Sequence, residues 1–71
     1  MDIRKIVARN LKHFRNAAGY SQEGLALKVG IHRTYVSGVE RGIRNPSVQI
    51  LEKIAKPLGI SAWELLYDGK K

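Results

Sequence analysis

The chain has 71 residues, no cysteine and a formal net charge of +7. A single domain of this size buries only about 60% of the surface its unfolded form exposes, and without disulfides or a thiolate metal site its stability has to come from helix packing, to which dimerisation can add. No apolar run approaches the roughly 20 residues of a membrane span, and the amino terminus lacks a signal peptide's apolar core and cleavage site, so a cytoplasmic protein with no membrane partner is expected.

Ile3, Ile6, Val7, Leu11 and Phe14 recur at spacings of three and four, which puts them on one face of a first helix ending near Ala18. Arg4, Lys5, Arg9 and Lys12 take its outer side. Gly19 follows as a left-handed C-terminal residue, and Ser21 can cap a second helix running from Gln22 to Val29. His32 opens a third helix that ends by Arg41, where Gly42 again suits a positive φ. Proline disfavours a helical conformation at Asn45, so Ile43 to Pro46 reads as a loop. Ser47 then caps a fourth helix built on Ile50, Leu51, Ile54 and Ala55, which Pro57 should end or kink. Ser61 and Glu64 have capping-box spacing for a fifth short helix, apolar nearly all round through Trp63, Leu65, Leu66 and Tyr67. With no strand pattern or repeat, the expected architecture is one all-α domain of five helices over residues 1–71.

Within it, Ser21 to Gly42 has the pattern of a helix-turn-helix. Leu25, Ala26 and Val29 give the inward stripe of one helix, Gly30 and Ile31 interrupt, and Val36 and Val39 mark the inward face of the next. Thr34, Ser37, Gly38 and Arg41 are left on the other face, a stripe of mostly short side chains flanked by arginines that a duplex major groove can admit. The charge falls in the same place. Residues 1–20 hold five basic against one acidic residue, 21–44 four against two, and 45–71 four against three. A polyanion gains affinity from such a surface because each phosphate neutralised releases condensed counterions.

Arg15, Gly19, Ser21-Gln22-Glu23, Leu25-Ala26, Gly30, Val36-Ser37, Glu40-Arg41-Gly42, Asn45-Pro46-Ser47, Ile54-Ala55 and Leu58-Gly59-Ile60-Ser61, in this order and spacing, resemble the Cro/C1-type (XRE-type) helix-turn-helix family of phage repressors and bacterial regulators. The resemblance spans roughly residues 9–66. Among its members the short chain looks most like small stand-alone regulators, including the controller proteins of restriction-modification systems. It implies a compact lambda-repressor-like fold with the helix-turn-helix at about 21–41, and a homodimeric transcription regulator on a roughly palindromic operator.

The resemblance also implies roles for single residues. Helix three, about 32–41, becomes the recognition helix, and Arg33, Thr34, Ser37 and Gly38 fall where bases are read. Arg33 suits a bidentate pair to guanine or, alternatively, a phosphate clamp. Thr34 can meet a thymine methyl or donate its hydroxyl, and Ser37 can do the latter; contact with DNA is the favoured reading of both, with an ordinary solvated helix residue as the alternative. Gly38 costs roughly 1 kcal/mol relative to alanine inside a helix; it either lets the backbone approach DNA or relieves crowding against a neighbour. Gln22, at the start of helix two, is placed for a phosphate with the helix dipole assisting. Tyr35 packs or reaches a phosphate, and Arg41, Arg44 and Asn45 stand near phosphates or a minor-groove edge. Arg15 and Glu40 form a structural ion pair between helices one and three, which offsets a carboxylate in the last turn of a helix.

Three positions depart from the family pattern. Gly24 stands where a glutamate often completes a capping box, so helix two should start less firmly. His32 replaces the usual serine or threonine cap and, when protonated, suits phosphate. Pro57 replaces a helix former and puts the usual dimer geometry in question. No phosphate-binding glycine loop or triad supports an enzyme, His13 and His32 are not spaced as a metal pair, and no cofactor is expected. The rival reading is an antitoxin-like or adaptor module whose fifth helix engages a partner protein through Trp63, Leu66 and Tyr67. The same three residues serve equally as a homodimer seam.

Overall fold

The computed structural model describes residues 2–69. Among them the chain forms four α-helices, α1 (Ile3–Ala17), α2 (Gln22–Val29), α3 (Arg33–Glu40) and α4 (Val48–Leu58), then one 3-10 turn, Ala62–Leu65, and no strand. Each α-helix begins on a side chain that accepts a backbone N–H. Asp2 takes that of Arg4, Ser21 that of Gly24, His32 that of Thr34 and Ser47 that of Ile50. These four contacts satisfy donors that the first turn of a helix otherwise leaves open.

The turn of the helix-turn-helix is made by Gly30 at φ +84°, a left-handed conformation that a residue with a Cβ adopts only at a cost. The N–H groups of Gly30 and Ile31 both reach back to the Ala26 carbonyl, at 2.8 and 3.0 Å, which closes α2 and redirects the chain into α3.

Every element contributes to one core. Leu11 of α1, Leu25 of α2, Val36 and Val39 of α3, Ile54 of α4 and Leu65 of the 3-10 turn are removed from water. Each stabilises the fold by roughly 1.5–3 kcal/mol before entropy is counted. Because Val36 and Val39 are wholly buried, the rotation of α3 about its axis is set, and its other side is held outward.

The fold corrects two expectations, the fifth helix and the burial of Ile3. The fifth helix is replaced by the four-residue 3-10 turn. Glu64 accepts the Ser61 N–H at 2.8 Å and starts the turn, but the carbonyls that an α-helix would continue from are taken. Asn10 Nδ2, from α1, reaches the carbonyls of Glu64, Leu65 and Tyr67 at 3.3, 3.0 and 2.6 Å. Near Pro57, where the sequence reading ends or kinks it, α4 runs one residue further to Leu58 before Gly59 caps it; in the last turn the missing N–H removes one bond to Lys53, and buried Leu58 holds the helix end in the core. Ile3, expected on the buried face of α1, is 44% exposed. It lies at the outer end of the helix, a full turn before Ile6 and Val7, the first residues the core covers.

Candidate nucleic-acid interface

The amino end of α3 is organised by His32. Its Nδ1 accepts the Thr34 N–H at 3.1 Å and lies 2.8 Å from the Thr34 hydroxyl. An acceptor at Nδ1 puts the ring hydrogen of the neutral imidazole on Nε2, which stays available as a donor. The Thr34 hydroxyl is thus already engaged, and the methyl group remains for other contacts. Arg33 and Thr34 are exposed and Ser37 is half-buried. Thr34 and Ser37, three residues apart, lie on the side of the helix away from Val36 and Val39, and Arg33, one turn before Val36, stands at the edge of that side, from which its length lets it reach. Arg41 continues that line at the C-cap, also exposed.

The other end of α3 is anchored by charge. Arg15, only 8% exposed, places Nε 2.6 Å from Glu40 Oε2 and Nη2 3.1 Å from Oε1, a bidentate pair, while Nη1 donates to the Tyr20 carbonyl at 2.8 Å. Gln22 Nε2 donates to the same Glu40 Oε1 at 3.0 Å. A carboxylate that would oppose the α3 dipole therefore has three donor atoms, and it ties the end of α3 to α1 and to the start of α2. One amide hydrogen of Gln22 belongs to this network, a bond that chain spacing gave no sign of. Gln22 also stands at the open end of α2, where first-turn N–H groups point out of the helix.

Arg44 lies across α3. The N–H groups of Ile43 and Arg44 both bond the Gly38 carbonyl, at 3.0 and 3.2 Å, and bring the chain back along the helix. The Arg44 guanidinium carbon sits 5.7 Å from the centre of the Tyr35 ring, within cation–π range. Gly38 is buried beneath this side chain rather than open. Asn45 is exposed in the loop that follows.

Around the 3-10 turn, Trp63, Leu66 and Tyr67 are 62, 41 and 48% exposed, and the rings of Trp63 and Tyr67 meet edge to face at 6.0 Å. Asn10 secures the backbone beneath them, and Arg9 adds a bond to the Asp68 carbonyl at 2.8 Å. Asn10 shares the face of α1 that carries Ile6, Val7 and Phe14; sequence reasoning passed over it, because a polar residue within an apolar stripe does not say which element holds its partner, here 57 residues away. No group of His, Asp or Glu among the described residues could hold a metal ion.

The helix-turn-helix family model matches residues 11–65. The chain belongs to this helix-turn-helix family. A hypothetical transcription factor of Neisseria meningitidis is 46% identical over 65 residues, which cover 92% of this chain and 61% of that protein. The crystal structure of that Neisseria factor superposes with a TM-score of 0.89 at 45% identity, covering 93% of this chain and 76% of the crystallised one. The control protein C.SmaI of Serratia marcescens is 46% identical over 66 residues, 93% of this chain and 79% of its own. The DNA-binding domain of SinR from Bacillus subtilis matches with a TM-score of 0.86 at 35% identity, over 94% of this chain and 99% of that one. SinR in complex with DNA matches at 0.82 and 39%, over 86 and 98%. As a helix-turn-helix protein with restriction-modification controllers among its relatives, the chain is of the XRE type and is a transcriptional regulator by family, not an enzyme.

Proposed function

We propose that this helix-turn-helix protein binds double-stranded DNA in a sequence-specific manner as a homodimer in the cytoplasm, and regulates transcription from a roughly palindromic operator. The observation that carries the reading is the outward side of α3. Exposed Thr34 and half-buried Ser37 face away from buried Val36 and Val39, with exposed Arg33 at the edge of the same side, on a chain with a net charge of +7. Seated in the major groove, this side has Arg33 facing guanine O6 and N7, the Thr34 methyl facing thymine, and Ser37 offering its hydroxyl. His32 Nε2, Gln22 at the start of α2, Tyr35, Arg41, Arg44 and Asn45 surround it with donors for the phosphates. SinR, 39% identical, is known in complex with DNA, which supports the same use of this surface here.

Two copies pairing through Trp63, Leu66 and Tyr67 would set their α3 helices about 34 Å apart, one turn of the duplex. An edge-to-face aromatic pair exposed on the surface of so small a domain suits a two-fold seam, in which each ring system packs on its counterpart. Selection from a random duplex library at near-physiological salt tests the proposal. The expected result is an enriched palindrome bound at least ~1000-fold tighter than scrambled duplex. If only weak, steeply salt-dependent binding without a motif is recovered, the patch at Trp63 belongs to a partner protein and the operator reading fails.

A further inference from the structure

An interior glycine in an eight-residue recognition helix has a helix-propensity cost, and the structure shows what occupies the space its side chain leaves. A Cβ built on Gly38 would lie 2.5 Å from Arg44 Cγ, 3.6 Å from its Cβ and 3.5 Å from its Nε. The first of these is closer than carbon atoms can approach, and Cγ is the root of the side chain, not its flexible tip. Any residue larger than glycine at position 38 therefore displaces Arg44. Two further contacts hold the arginine in the same course. Its own N–H is bonded to the Gly38 carbonyl at 3.2 Å, and its guanidinium lies over Tyr35, one turn before Gly38 on the same side of α3.

We propose that Gly38 is a positioning residue: its missing side chain is the seat across which Arg44 reaches over α3 to Tyr35, and this presents the guanidinium, already ordered, to a DNA phosphate beside the recognition helix. Position 38 has no side chain of its own in the interface and takes the one supplied by the α3–α4 loop. Ordering a long side chain before binding removes part of the entropy that an arginine otherwise loses on contact, and the planar fork suits a phosphate better than a point charge does. This inference rests on the reading of α3 as a DNA-binding element.

The test is a double-mutant cycle of Gly38→Ala and Arg44→Ala, read by affinity for the selected operator across a salt series and by thermal melting. Arg44→Ala should lower affinity on the order of tenfold for operator and scrambled duplex alike, and flatten the salt slope by about one contact. Gly38→Ala should reproduce most of that loss and of the change in slope, and should cost nothing further once Arg44 is alanine. Equal losses from Gly38→Ala in both backgrounds would mean that Gly38 itself abuts the DNA, and would overturn the seat; so would a Gly38→Ala protein with wild-type affinity and slope.

Melting separates the seat from the DNA reading. With Arg44 truncated, Gly38→Ala should raise the Tm by about 4 to 8 °C through helix propensity. With Arg44 present the gain should shrink or reverse. Additive Tm effects would overturn the seat even if every protein bound DNA. Coupled Tm effects in a protein that binds no duplex would leave the seat standing and refute the DNA interface.

Discussion

Arg33 and Glu40 stand at opposite ends of α3 and have opposite duties. Arg33 is exposed, so Arg33→Ala should leave the melting temperature nearly unchanged and relax preference at one base pair per half-site by about 1–3 kcal/mol. A competition series against single-base operator variants reads this directly. An equal loss on every duplex would instead assign Arg33 to a phosphate. Glu40 has only 4% of its side chain exposed, and Arg15 10%. Glu40→Ala would strand a nearly buried guanidinium and should destabilise the fold by about 3–5 kcal/mol in urea unfolding, so its loss of DNA binding would follow from unfolding. That Glu40 needs a partner was legible because an acidic residue in a last helical turn opposes the helix dipole, and the family resemblance supplied Arg15 as that partner. Gln22 as a third member was not legible, since a glutamine at a helix start satisfies any local rule without a partner.

Among the elements, the helix caps read best. Ser21 and Ser47 accept from the third residue of their helices, as short hydroxyl side chains before an apolar run should. His32 shows how an unusual cap can still close a helix: its Nδ1 does what a serine oxygen would. His32→Ala should therefore cost about 1 kcal/mol in stability and lower DNA affinity more than that, while His32→Ser should restore the stability alone; chemical denaturation set beside operator titration distinguishes the two. At α1 the Arg4 N–H bonded to Asp2 holds its carboxyl below the usual carboxylate range. A group lowered in this way stabilises the folded state above the carboxylate range, and the contribution is lost as pH falls through the lowered value. The fifth helix failed for a reason outside its own sequence. Its capping signal is real, and Glu64 does hold the Ser61 N–H, but Asn10 claims the carbonyls beyond. Asn10→Ala should cost about 1–3 kcal/mol and lower the hydrogen-exchange protection of Leu65 to Tyr67 before that of α2 or α3.

For the whole molecule the questions are assembly and charge. A 71-residue chain with one modest core gains from a second copy. Truncating the exposed aromatic, Trp63→Ala, should leave the monomer fold intact, shift sedimentation toward monomer and abolish cooperative occupation of two half-sites. Single half-sites should still be bound. A variant that remains dimeric would place the seam elsewhere, for which Leu27 and Val48, 83 and 70% exposed, are the first positions to try.

Local pattern alone determined the order and approximate extent of the four α-helices, the turn at Gly30, the inward stripe of α3 and the basic balance of the chain, but not that the fifth element stops at a 3-10 turn. Each depends on interactions within about four residues or on composition, so a single chain read in order contains them. Tertiary structure alone decided what the exposed and polar residues do. Asn10 bonds a turn more than fifty residues away, Gln22 joins Arg15 and Glu40, and Arg44 crosses Gly38 to reach Tyr35. A hydrophobic stripe declares its orientation through periodicity, whereas a hydrogen-bond donor has no period. Its partner is whichever acceptor the packed core brings within about 3 Å, and that distance exists only after the helices have met.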